Sequence, residues 1–201
     1  MSMKELFELA GKIKDKNLRE KTTELLKKPA VSNPEITYPA ARFDEIPAWA
    51  VGSHHSYTGG ELDHTVSIVR IALGLAEHFE KTYGIKVNKD HLISGALLHD
   101  IMKCFIIKKE AKGWGFTGTN LDHGFFSAAE LYARGFPEEV IHIVAAHGGD
   151  QGSSAANPRT IEGMLVYYAD VIDSAVESHV HGTPNPLQVL LMKAKEEAKD
   201  E

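Results

Sequence analysis

Two hundred and one residues and 22.1 kDa make one large or two small domains, enough chain to bury a core without staples. Charged residues make up 25% of the chain and apolar residues 43%, which excludes a disordered, collagen-like or membrane-spanning composition. A formal charge of −6 leaves no basic footprint for non-specific nucleic-acid binding, and a single cysteine, Cys104, excludes a disulfide framework and a cysteine-built zinc site.

In chain order, residues 3–27 place Leu6, Leu9, Ile13, Leu18, Leu25 and Leu26 among lysines and glutamates, the pattern of one long or two short amphipathic helices ended by Pro29. Residues 29–59 hold four prolines without a clean period and read as an extended, ordered connector. From Gly60, the row Leu62, Val66, Val69, Leu73, Ala76 and Phe79 follows helical spacing and stops near Gly84. Asn88 is placed to cap a helix running through HLISGALLHDIMK, apolar on most sides and therefore central. Residues 106–119, with Gly113, Gly115 and Gly118, read as a loop or short hairpin, with Trp114 and Phe116 on its rim or against the core.

Three helices follow: about 121–134, then one with Pro137 at its first position and Glu138 and Glu139 in its first turn, then one from Asn157-Pro158 to about Glu177. A final amphipathic helix is expected over 185–198. No segment shows sustained strand alternation, so the expected fold is all-α, a single-domain multi-helix bundle. Its parts are N-terminal helices and connector at 1–50, a core at 51–180, and a C-terminal helix at 181–201 packed on it. The charged N-terminus lacks a signal-peptide core, and Leu92–Leu98, the longest nearly apolar stretch, is too short to cross a bilayer; the expected location is the cytoplasm.

Histidine is in excess, 11 copies against 8 Phe and 6 Tyr. His78, His91, His142, His179 and His181 have no motif and read as solvated or capping residues. His64, the adjacent pair His99-Asp100, His123, His147 and Asp170 differ, because each falls on its own expected helix or at its edge. They are separated by 35, 23, 24 and 23 residues (64 to 99, then 100 to 123, 147 and 170), about one per helix and turn. A bundle built this way can aim several side chains at one internal point. Imidazole and carboxylate together suit Fe, Mn, Zn, Co, Ni or Mg with coordination positions left for water or a phosphate oxygen. Asp100, with two oxygens, is the natural bridge of a two-metal site.

Lys103 lies four residues after His99, where its ammonium could meet a phosphate or pair with a carboxylate. Asp173, three residues after Asp170, could orient a ligand or a water; Asp63, Ser67, Asp122 and Ser127 are candidate acceptors for outer ring nitrogens. Cys104 reads as a small buried filler.

The order His64, His99-Asp100, Asp170 resembles the H…HD…D signature of the HD-domain superfamily of metal-dependent phosphohydrolases. Residues 95–103, GALLHDIMK, are similar to that family's GALLHDIGK, with Met102 in the place of glycine, a change that would narrow the space beside the metals. Residues 53–65, SHHSYTGGELDHT, resemble the SHHHxYxGGLLEHT stretch of the HD module in bacterial 3′-to-5′ exoribonucleases. His123 and His147 resemble further ligands of two-metal members, and residues 167–173, YYADVID, resemble a terminal YxADxxD-type segment. The resemblance covers about 50–180.

It implies one metal held by His64, His99, Asp100 and Asp170, and a second held by Asp100, His123 and His147. It places His54, His55 and Tyr57 near the site as substrate contacts, with a loop hydrogen-bonding role as the other reading. The implied reaction is hydrolysis of a phosphate ester or anhydride of a small nucleotide-type substrate by a metal-activated water, with Asp100, Lys103 and Asp173 as the catalytic groups. Lys103 would neutralise phosphoryl charge, and Asp173 or a nearby histidine would protonate the leaving group. An acidic chain without a basic strip favours a small substrate over extended nucleic acid. Alternatives are an RNA or oligonucleotide exonuclease, a di-iron oxygenase and a non-catalytic nucleotide sensor. A homodimer is possible through the N-terminal helices.

Overall fold

The computed structural model describes residues 1–50, 52–149 and 156–183; the helix expected over 185–198 lies outside them. The architecture is all-α, with eight helices and one two-stranded hairpin among the described residues. The N-terminal segment forms two short helices, α1 (Met3–Ala10) and α2 (Lys16–Lys27). Ser2 and Glu5 close a reciprocal capping box on α1, and the Asp15 side chain accepts the Leu18 N–H to start α2. Their apolar faces join the same hydrophobic cluster as the rest of the chain through Leu6, Leu9, Ile13, Leu18, Leu25 and Leu26. The connector is ordered as expected, with Phe43, Ile46 and Ala48 buried.

The body begins with α3 (Gly60–Tyr83), ended by Gly84 in the left-handed conformation. Next is α4 (Lys89–Leu98), capped by the Asn88 side chain; every residue from Leu92 to Leu98 is buried. It touches α1, α2, α3, α7 (Glu138–Ala146) and α8 (Ile161–His181), which makes it the central element its all-round apolar character requires. Gly95 is the closest approach: a Cβ there would lie 2.5 Å from the Ile143 side chain of α7.

A continuous helix through residue 103 is not what forms. The helix stops at Leu98, residues 99–102 make tight turns, and α5 (Lys103–Ile106) follows. The cause is local. The Nδ1–H of His99 donates to the Ala96 carbonyl at 2.8 Å, the oxygen that the Asp100 N–H would take in a continuing helix. Bonds three residues apart replace the helical ladder, Ile101 N–H to Leu98 O and Lys103 N–H to Asp100 O.

The segment after α5 is the short hairpin allowed by its glycines, β1 (Ile107–Lys109) antiparallel to β2 (Trp114–Phe116), with Lys108 opposite Gly115. The helix α6 (His123–Ala133) starts at Asp122, whose carboxylate accepts the Gly124 and Phe125 amides. Pro137 is the N-cap of α7 rather than its first residue. The last helix among the described residues, α8, begins at Ile161 with Thr160 as cap and runs to His181, later at both ends than its expected span. Pro158 keeps Asn157 extended, and the Arg159 N–H goes to His142 Nε2 instead of into the helix. No helix among the described residues is long and apolar enough to cross a membrane.

Candidate metal centre

Four helix ends and one helix interior converge on one buried point. His64 projects from the first turns of α3, His123 from the start of α6, and Asp170 from the middle of α8. His99 and His147 each sit one residue past the end of a helix, α4 and α7. Both use the same device: the His147 Nδ1–H donates to the Val144 carbonyl at 2.7 Å, three residues back, as His99 does to Ala96. One bond thus ends the helix, fixes the tautomer and turns Nε2 inward.

The other two rings follow the same rule with side-chain acceptors. His64 Nδ1 donates to Asp173 at 2.8 Å, and His123 Nδ1 lies 3.3 Å from Asp122. Four imidazoles therefore have their outer nitrogens engaged and their Nε2 atoms directed to the centre.

Asp100 lies between two groups of these nitrogens. Its Oδ2 is 3.0 Å from His99 Nε2 and 3.8 Å from His64 Nε2, which is itself 3.4 Å from Asp170 Oδ1. Its Oδ1 is 3.4 Å from His123 Nε2 and 3.5 Å from His147 Nε2, and these two nitrogens are 3.2 Å apart. Ligands bound to one ion at ~2.0–2.2 Å stand roughly 3–3.5 Å apart, the separation of the second group and, apart from the 3.8 Å between His64 and Asp100, of the first. His99 Nε2 and Asp100 Oδ1 are buried without any hydrogen-bond partner. Two orphaned polar atoms in such a place are costly unless a ligand takes them. The donor set fits one or two divalent cations, with His64, His99 and Asp170 on one side and Asp100, His123 and His147 on the other.

The charges around Asp100 are tightly balanced. Burial pushes its carboxyl up, but the His99, Lys103 and His123 charges outweigh this and hold it well below the usual range. Lys103 is buried against it, Nζ to Oδ2 at 2.5 Å, with Glu61 3.4 Å away. Burial lowers the Lys103 ammonium, yet these two carboxylates keep it above its ordinary value. Desolvation drives His64 well below the normal imidazole range, so its ring stays neutral as a ligand requires.

Other expected residues distribute unevenly. Asp173 lies in the centre's outer layer, fastened to His64 and to the Ser67 hydroxyl; burial raises its carboxyl to about 6. Asp122 faces the outer nitrogen of His123, the role expected of it, whereas Ser67 donates to the Asp173 carboxylate instead of accepting from a ring nitrogen. Asp63 differs too: it takes the N-terminal amine and the Tyr57 phenol. Ser127 accepts the Met102 N–H instead of a ring nitrogen. Met102 itself is buried in the hydrophobic cluster.

His54 and His55 lie beside His64, with ring centroids 4.9 and 5.3 Å from it. His54 Nε2 and His55 Nδ1 are buried without partners, and His55 adopts φ 48. Burial lowers both rings, His54 to about 4. Tyr57 stands half-exposed at the edge. Cys104 is a buried free thiol that desolvation makes harder to ionise, consistent with a filler. Glu61 was not singled out by its sequence context, although it precedes His64 by three residues and so shares its helical face.

The sequence matches the HD domain over residues 62–175. It is 40% identical to the dihydroneopterin 2′,3′-cyclic phosphate phosphodiesterase of Methanocaldococcus jannaschii, with 96% of this chain and 85% of that protein covered. It is 27% identical to the 3′-5′ exoribonuclease YhaM of Bacillus velezensis (81% of this chain, 50% of that one) and 29% identical to that of Oceanobacillus iheyensis (69% and 43%). The chain thus spans about half the length of these exoribonucleases. No solved structure matches it. A buried set of histidines and aspartates in an all-α bundle, matched to the family profile across more than half its length, makes this chain a member of the HD domain family of metal-dependent phosphohydrolases.

Proposed function

We propose that the chain is a two-metal phosphodiesterase that opens the 2′,3′-cyclic phosphate of a small pterin- or nucleoside-type molecule. The observation that carries this reading is Asp100, one carboxylate with an oxygen toward each group of histidine nitrogens. The relative from M. jannaschii, similar over most of both chains, supports the substrate class.

Bound divalent cations would supply a hydroxide near neutral pH and neutralise charge on the phosphoryl oxygens. His64, His99, Asp100 and Asp170 would hold one, and Asp100, His123 and His147 the other. Asp173 and Asp122 act as positioning residues, orienting the rings of His64 and His123. Lys103 adds positive charge beside the bridging carboxylate, where the phosphoryl oxygens would lie. In the reaction a water oxygen forms a bond to phosphorus, one ring P–O bond breaks, and the freed sugar or side-chain oxygen takes a proton. Asp173, whose carboxyl burial raises to about 6, supplies that proton, and His54, His55 and Tyr57 line the approach. The product is a phosphomonoester, with no free phosphate released.

Long RNA fits less well, since an acidic chain of net charge −6 holds a polyanion poorly. The discriminating assay presents 2′,3′-cyclic GMP and a single-stranded RNA oligonucleotide to the metal-loaded protein. Conversion of the cyclic ester to 2′- or 3′-monophosphate with RNA left intact is the expected result; stepwise shortening of the RNA with the cyclic ester untouched would favour the exonuclease, and oxygen uptake with neither change would favour the oxygenase.

We also propose a homodimer, formed through α8 and not through the N-terminal helices expected above. The outer side of α8 exposes Met164, Tyr168, Ile172, Val176 and Val180, spaced four residues apart, and carries no exposed Lys, Arg, Asp or Glu. A second copy seated on this row would cover it. Light scattering is expected to give twice the chain mass, and a monomer at micromolar concentration would contradict it.

A further inference from the structure

Beside the metal centre stands an aromatic pair that the chemistry at phosphorus does not use. Trp49, from the connector, is half-buried, and its ring centroid lies 6.1 Å from that of His123. Phe116, on β2, is 42% exposed and meets Trp49 at 5.3 Å. Both neighbours approach the indole at steep angles, 69° and 61°, so neither lies flat against it. Among the described residues its N–H donates to no acceptor. The Lys103 ammonium, 5.9 Å from the indole ring, links this pair to the Asp100 carboxylate.

The hairpin that carries Phe116 is fixed rather than loose. The Trp114 indole donates to Thr58 Oγ1 at 3.2 Å and Lys109 lies over its ring, so Trp114 is committed to structure, while Trp49 borders His123 and Phe116 borders Trp49.

We infer that Trp49 and Phe116 form the subsite for a planar heteroaromatic ring on the substrate and set the enzyme's preference for ring-bearing over ringless cyclic phosphates. Reach supports it. Trp49 stands 6.1 Å, ring centre to ring centre, from His123, and a ring joined to a phosphorus beside the metal centre through four single bonds of about 1.5 Å each has the reach to meet it. An indole and a phenyl offer stacking that is strong and tolerant of ring identity, and the free indole N–H offers a donor to a ring nitrogen or carbonyl oxygen. The inference rests on the cyclic phosphodiesterase reading for its kinetic test, and a binding test reads the subsite without it.

The kinetic test compares 2′,3′-cyclic GMP with glycerol 1,2-cyclic phosphate, which has no ring. Trp49→Ala is expected to lower the ratio of kcat/KM values, ring-bearing over ringless, by about tenfold, mostly through KM, with Trp49→Phe restoring most of it. An unchanged ratio would overturn the inference, as would equal loss on both substrates. The binding test uses Trp114→Phe, which leaves Trp49 as the sole tryptophan of the two in the chain. Neopterin, a ring without phosphate, should quench its fluorescence saturably, and Phe116→Ala should weaken the apparent affinity several-fold. Absence of saturable quenching in the folded, metal-loaded protein would overturn the subsite. Quenching without cyclic phosphate hydrolysis would uphold it while removing the phosphodiesterase reading.

Discussion

Each imidazole facing the centre is held by a bond from its other nitrogen, and the type of acceptor differs with position. His99 and His147 use carbonyls of the helix they end, whereas His64 and His123 use carboxylates from α8 and from the α6 cap. His123 is the least buried of the four, its side chain 17% exposed, and it belongs to one group only. His123→Ala should therefore lower the bound metal by about one equivalent per chain while the other group keeps its ion. Quantifying metal in the purified variant checks this; unchanged stoichiometry would mean a single-metal centre. The six candidate ligands were legible because their residue types recur at bundle spacing and match family motifs. Glu61 was not, because a glutamate in the first turn of a helix is ordinary. Its burial against Lys103 and its nearness to His99 and Asp100 distinguish it. Trp49 was equally opaque, since a tryptophan in a proline-rich connector reads as packing, and its neighbours His123 and Phe116 lie more than sixty residues away.

The two helices that end at candidate ligand histidines, α4 and α7, also pack against each other, and their approach is set by Gly95 against Ile143. Gly95→Ala would force a methyl to within 2.5 Å of a fully buried side chain. The intrinsic gain of alanine in a helix is about 1 kcal/mol, and overpacking costs about 1–3 kcal/mol, so the net change should be destabilising. Displacing α4 from α7 would also part His99 from His147, whose ring centroids are 5.0 Å apart. Denaturant unfolding and metal titration of this variant should show lower stability and weaker binding together; a more stable variant with unchanged affinity would contradict the packing account. Helix positions were readable from apolar periodicity, but the break at Leu98 was not. The residues 99–103 keep an apolar helical pattern, and only a side chain competing for the Ala96 carbonyl ends it.

Across the whole molecule, one core unites the N-terminal helices with the body, so metal binding and folding should be coupled. The net charge of −6 does not oppose a phosphate substrate, because the local field comes from the site and not from the total. The excess of histidine is likewise local: four rings serve the centre, two lie beside it, and the others serve caps or the surface, His142 among them as an acceptor for the Arg159 amide. The central claim is that hydrolysis requires metal held by Asp100 and its neighbours. The most direct measurement strips the protein with a chelator, restores one divalent metal at a time, and follows 2′,3′-cyclic GMP hydrolysis beside bound metal, in the wild type and in Asp100→Asn. The account predicts no turnover without metal, recovery as about two equivalents bind, and none in Asp100→Asn at any metal concentration. Turnover by the metal-free protein, or full activity in Asp100→Asn, would contradict it.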